Sequence, residues 1–317
     1  MFLEFLLFEL KLRLKSIATY CYFALWVVIT FLFVVAPDIS MGPGKILGNG
    51  PFFTQLFDVQ FSFFGAIIMA ALFGTSILRD FQRDTYQIVF TKPIRKIDYL
   101  GGRWAGSFLT TLLIFTGIPI GEMLGTLAPW ADHARLAPVD LPMLAYHYLI
   151  LIVPEVFFLG ALFFLVAALT RQVIVVYLQG VALLIVYLIG FVSVIQSRSL
   201  NPYWPSVLDP VGMILFRTIS RYWTVSEQNS LWIPFNGMFL WNRVLWCSVG
   251  VLALVAVQIF FPMSAEALTT RRSRKLKARE QESTAPPVPK FHNLLPIIKT
   301  SFTFATSVRQ FLSLTRI

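Results

Sequence analysis

Charge is scarce in this 317-residue chain. Asp, Glu, Lys and Arg make up 13% of it and hydrophobic residues 57%, whereas charged residues are about a quarter of an ordinary globular domain. That composition excludes a soluble protein whose apolar helices are merely buried. Reactive side chains are scarce as well. The two cysteines, Cys21 and Cys247, and the three histidines, His133, His147 and His292, show no metal-ligand spacing. The chain has no HExxH, CxxC or GxSxG, and no GxxxxGK[ST] phosphate loop. It therefore lacks the motifs for zinc hydrolysis, thiol redox chemistry, a serine nucleophile elbow or ATP binding. Met41-Gly-Pro-Gly-Lys45 has the wrong spacing for such a loop, and no Ser or Thr follows its lysine. The cysteines fall inside apolar runs and read as packing residues.

Long apolar runs are what the chain has in abundance. Six approach the ~20 residues that a bilayer core requires of a helix: Ser16–Ala36, Phe57–Leu78, Trp104–Leu127, Met143–Leu169, Val173–Ile195 and Trp241–Pro262. The expected fold is an all-α polytopic membrane protein with six transmembrane helices. Basic residues orient it. With the N-terminus inside, only Lys45, Arg135, Arg198, Arg217, Arg221 and Arg243 of the 26 Lys and Arg fall outside the cytoplasmic segments. The positive-inside rule then places both termini in the cytoplasm. The net charge of +10 becomes a topology signal and calls for no nucleic-acid partner.

Four segments follow. Residues 1–15 read as an interfacial helix, with Glu4, Lys11 and Lys15 on one face and Glu9 and Arg13 as an i, i+4 pair on the other. Residues 16–262 form the six-helix domain. Residues 263–293 read as a disordered basic cytoplasmic linker, holding the run Arg271–Arg279 and then three prolines. Residues 294–317 turn apolar and basic again and suit a second cytoplasmic interfacial helix. They are either a tail or the start of a second half. Within the domain, Thr170-Arg171-Gln172 is short enough to make its flanking helices antiparallel neighbours. The stretch 196–240 holds Asp209-Pro210 as a helix start and Thr224-Val-Ser-Glu227 as a capping box. It reads as two short interfacial or re-entrant helices on the outer side, with a solvated loop as the alternative.

The loop after the second span carries most of the functional argument. Arg79/Arg83 and Asp80/Asp84 repeat at i, i+4, so the second helix can run past the membrane with a self-paired surface. Lys92 precedes Pro93 and breaks that helix, and Pro93 suits the first turn of the next. A helix–break–helix elbow is expected, with an ordinary positive-inside loop as the alternative. Inside the spans, two acidic residues stand out. Glu122 is a few residues from the outer end of its helix and in reach of water, and Glu155 is half-way along its own. An intramembrane carboxylate usually faces a cavity or a partner, which makes both candidate pathway residues. Gln179 is a third candidate pathway residue and a candidate interhelical hydrogen-bond group, and Pro119 and Pro154 are expected to kink their helices.

In order and spacing the chain resembles the permease subunits of type 2, exporter-type ABC transporters. The resemblance covers Met1 to Pro262. It rests on the N-terminal helix, the six spans, the charged segment after the second, the short helices before the last, and Thr91-Lys-Pro93-Ile-Arg95-Lys-Ile-Asp-Tyr99-Leu-Gly-Gly-Arg103. Where the family commonly has a glycine before the threonine of the charged segment, this chain has Asp84. The resemblance implies a multi-pass protein of the plasma membrane, the bacterial inner membrane, that forms half of a translocation pathway. The second permease half would be another copy, another subunit or a segment in cis. ATP would be held and hydrolysed by a separate ABC ATP-binding subunit, leaving this chain without enzymatic activity or cofactor. That subunit would dock on a coupling loop comprising Arg79, Asp80, Arg83, Asp84, Pro93, Arg95 and Tyr99. Two alternatives stand beside it: a secondary transporter, and a membrane anchor of a larger polypeptide with a peptidase-like domain, as in permease–aminopeptidase fusions.

Overall fold

The computed structural model describes residues 1–36, 45–83, 85–196 and 203–263. Asp84, the linker and the second interfacial helix expected beyond Met263 lie outside them. Every regular element among the described residues is helical, as an apolar environment demands of a backbone that must satisfy its own hydrogen bonds. The chain is an α-helical polytopic membrane protein. Among the described residues five helices are long and apolar enough to cross a bilayer, or six if a bent pair counts as one span.

The first helix, α1 (Phe2–Leu14), precedes the first span, α2 (Ile17–Val35). The second span is the bent pair, α3 (Pro51–Phe64) and α4 (Ala66–Gln82), which turn by 46° at Gly65. It is longer at both ends than its apolar run, because Pro51 at the helix start and the polar Arg79–Gln82 turn extend it. A short helix, α5 (Tyr86–Phe90), leads into the third span, α6 (Lys96–Phe115) and α7 (Gly117–Thr126). The break after Phe115 is the one whose carbonyl Pro119 cannot reach with an N–H. The fourth span joins α8 (Leu141–His147) to α9 (Val153–Thr170) through a π-helical turn, Tyr148–Ile152. Pro154 leaves a carbonyl of that turn free in the same way, so both expected kinks have their cause in a proline. The fifth span is α10 (Val173–Gln196), two residues beyond α9. Then come α11 (Tyr203–Val207), α12 (Met213–Ser220), α13 (Val225–Ser230) and the last span, α14 (Gly237–Phe260).

Contacts between connections fix the up-and-down order. At one end, Asn229 bonds both Lys45 and Leu47, and Asn49 bonds Ala137. At the other, the α1 end, Lys96 reaches the Ile259 carbonyl and the Arg171 guanidinium lies 5.2 Å from the Phe81 ring. The core is aromatic. Trp26, Phe57, Phe61, Phe73 and Phe115 are buried in one cluster, and α10 and α14 are largely exposed on their apolar sides.

Two glycine rows set the tightest helix pairs. A Cβ at Gly121 would sit 2.4 Å from the Val27 carbonyl oxygen, so α7 and α2 meet backbone to backbone. A Cβ at Gly106 would sit 2.6 Å from that of Glu9. Small residues at such spacing let membrane helices approach closely. Here the approach brings Glu9 to the arginines described next.

Candidate functional site

The elbow after the second span is pinned from inside by a knot of charge. Glu9 accepts hydrogen bonds from Arg13 at 2.9 Å, Arg79 at 2.8 Å and Arg103 at 2.8 Å. The other side of Arg103 grips both Asp80 oxygens, at 2.9 and 2.6 Å. Asp80 also accepts the Tyr99 hydroxyl at 2.7 Å, and Arg13 donates to the Leu72 carbonyl. Glu9 and Tyr99 are fully buried, and Arg13, Asp80 and Arg103 nearly so. Burial pushes the Glu9 carboxyl up, but Arg13, Arg79 and Arg103 outweigh it and hold the group below its ordinary range. Aromatic rings complete the clamp: Phe90 stands edge-on to Tyr99 at 5.5 Å, and Phe261, just past the last span, packs on Phe81, Phe90 and Tyr99.

This arrangement corrects two expectations. Asp80 pairs with Arg103 and Tyr99 rather than within a self-paired helix surface, because a buried guanidinium nitrogen of Arg103 lies between its two oxygens. Pro93 lies in the extended connection, and the next helix starts at Lys96 with Arg95 as its N-cap. The expected coupling residues therefore divide. Arg79, Asp80 and Tyr99 face inward, while Arg83, Pro93 and Arg95 are exposed. Exposed beside them are Ile88, Lys92 and Ile97.

A second polar region lies inside the bundle. Thr54, Asp58 and Ser62 follow one another by a helical turn on α3, facing the third and fourth spans. Thr54 donates to Glu122, and Ser62 donates to Glu155 at 2.5 Å. Asp58 is within electrostatic reach of Glu122 and Tyr148. Gln55 bonds His147 at 2.9 Å. All are buried, so Glu122 does not reach water through its helix end: the kinked α7 and α8 and the Thr54 face of α3 close over it. Both acidic pathway candidates sit inside one chain's bundle. Gln179 lies apart on α10, half-buried, and its amide oxygen has no partner. Val176 and Gly180 take the inward positions on this helix.

At the base of the last span, Asn242 donates to the carbonyls of Ser206, Val207 and Asp209 at 2.7–3.0 Å. It thereby docks α11 on α14. The Asp209 carboxylate caps α12 through the amides of Ile214 and Leu215 at 2.5 and 3.3 Å. The helix itself begins later than expected, at Met213, after Gly212 turns the chain at φ 100°. The capping box of Thr224 and Glu227 is present.

Sequence reasoning passed over Asp58, Gln55 and His147, and also Arg243, which is buried within electrostatic reach of Glu155. A polar residue at each turn of an apolar run was a readable signal for the α3 stripe. Gly117-x3-Gly121-x3-Gly125 was one for helix contact. No metal-holding group of three His, Cys, Asp or Glu occurs among the described residues. No known family model matches the chain, and no curated protein matches it.

Proposed function

We propose that this chain is a permease half of an ATP-driven ABC transporter of the type 2, exporter-type class. The elbow between the second and third spans carries this reading. Its inner side is clamped to α1 by buried ion pairs, and its outer side keeps Arg83, Lys92 and Arg95 around exposed Ile88 and Ile97. A rigid clamp under a basic, apolar-tipped surface suits a loop that must receive a push from a docked subunit and pass it to the spans. In this reading both termini are cytoplasmic, α1 lies in the inner interface, and α11 to α13 are short outer helices. The membrane is the bacterial inner membrane, the ATP site is on the docked subunit, and a second permease half completes the pathway.

A secondary transporter is the second reading. The buried carboxyls Asp58, Glu122 and Glu155 favour it, since intramembrane acids commonly mark ion routes. Arg83→Glu and Arg95→Glu separate the two. Under the ABC reading each inserts normally but loses a co-purified ATP-binding subunit and its transport. Unchanged recovery and transport in both variants would return the elbow to a plain positive loop.

A further inference from the structure

The third and fourth spans are both interrupted, and at one level. The third breaks after Phe115, and the fourth passes through the π-helical turn Tyr148–Ile152. The Tyr148 hydroxyl donates to the Leu112 carbonyl at 2.5 Å and ties the two interruptions together. Beyond this tie, toward the end opposite α1, the two spans part: α7 packs on α2, and α8 on α3. Between them lies an open crevice of about 410 Å³. Pro119, Ile120 and Met123 wall it on one side, and Leu144, Ala145 and Leu149 on the other.

The lining leaves a polar ligand nothing to bind. No charged residue belongs to it among the described residues. Its two hydroxyls are spent inside the fold, Tyr148 on Leu112 and Thr116 on the Leu113 carbonyl at 2.6 Å. Apolar cavities stay dry, and one of ~150 Å³ already takes up benzene. The crevice is also continuous with the surface that meets lipid. Leu141 and Leu149, which line it, are 61% and 60% exposed, and Leu113 and Leu124, just before and after its third-span wall, are exposed as well. Both walls belong to helices long and apolar enough to cross a bilayer. Exposed Trp130, a few residues past α7, marks the headgroup level, so the crevice runs from there into the hydrocarbon.

We infer that this crevice seats an acyl chain of a bilayer phospholipid, drawn from the leaflet at the end opposite α1. Hydrocarbon is the one chemistry the lining accepts, and the bilayer supplies it at the mouth. A chain seated there stands between α7 and α8 and holds them apart above the level where their spans are tied. Only the membrane-spanning character of the chain is needed for this, so it holds under either energy source considered above.

Photolabelling tests the seat, using the full chain in phosphatidylcholine nanodiscs doped with a phosphatidylcholine that carries a diazirine midway along one acyl chain. After illumination, lipid adducts mapped by peptide mass spectrometry should be several-fold more frequent at Ile120, Met123 and Ala145 than at Ile185, Ile189 and Val192, which are exposed on the corresponding half of α10. Ala145→Trp fills the crevice. It should remove the excess at Ile120 and Met123 and leave α10 labelling unchanged. Should that variant fail to fold, Leu149→Trp at the exposed mouth serves in its place. Equal labelling of crevice and α10, or an excess that survives the Trp substitution in protein of wild-type melting temperature, would mean ordinary surrounding lipid and overturn the seat. So would a crevice without adducts on protein whose α10 is labelled.

Discussion

At the α1 end, two carboxylates face three guanidinium groups across four ion pairs of 2.6–2.9 Å. Farther along the same second and third spans, Asp58 and Glu122 are buried as deeply, yet Glu122 bonds a hydroxyl rather than an arginine. The two regions differ in what their surroundings allow. Charges near a helix end can be gathered from α1, α4 and α6, because glycines let α1 approach and three arginines converge there. In the middle of the same two spans Glu122 meets the Thr54 hydroxyl instead. The first region is locked by its own charge balance. The second leaves the Glu122 Oε2 atom buried without a hydrogen bond and is not locked in that way.

The sharpest way to break this contrast is to remove the centre of the knot. Glu9→Ala leaves Arg13, Arg79 and Arg103 buried around an empty site, and breaking a buried pair in this manner costs about 3–5 kcal/mol. Detergent-solubilised Glu9→Ala should unfold at markedly lower denaturant than wild type, with α1 released to proteolysis. If Glu9→Ala were no less stable than Glu155→Gln, the distinction between a locked and an unlocked region would be wrong. Steric control comes next. Gly121→Leu drives a side chain into Thr30 and the Val27 backbone, and overpacking of that kind costs about 1–3 kcal/mol or more. The α2–α7 pair should separate, read as a lower melting temperature and as loss of an engineered cross-link between the two helices.

Smaller effects are expected in the mid-span region. Ser62→Ala removes one hydrogen bond to Glu155, and an ordinary buried hydrogen bond is worth about 1 kcal/mol. Asp58→Asn and Glu122→Gln keep shape and most hydrogen bonding, so stability should change by less than about 1 kcal/mol. A loss comparable to that of Glu9→Ala, seen in chemical unfolding, would show these acids to be structural anchors.

The sequence made part of this contrast readable. Apolar runs located the five to six candidate spans to within a few residues, except where polar or proline-led turns lengthened the helices. Glu9 and Arg13 were legible as a pair because both lie on one helix. Their partners Arg79 and Arg103 were not, because they arrive from other helices and only the tertiary approach at Gly106 joins them. Asp58 was within the expected second span and passed unnoticed. One carboxyl in an apolar run carries no partner information until Glu122 and Tyr148 are placed beside it. The inward turn of Asp80 and Tyr99 was hidden for the same reason: a charged loop residue reads as solvated until a buried guanidinium is found opposite it.

The smallest effect is one of pH, and it tests whether the knot depends on Glu9 being charged. Burial raises this carboxyl, and the three arginines lower it further than burial raises it, leaving it below its ordinary value of 4.5. A group whose pKa is depressed on folding contributes its full stabilisation above the unfolded value, and loses it as pH falls through the folded one. Melting temperature should thus be flat from neutrality to about pH 5 in its Glu9 component, and fall progressively in more acidic solution. Glu9→Gln should be less stable at neutral pH and lack this component of the fall, so the two curves converge as acid protonates the wild-type carboxyl. Parallel curves throughout the acid range would mean that the arginines are held by packing and hydration rather than by the charge on Glu9.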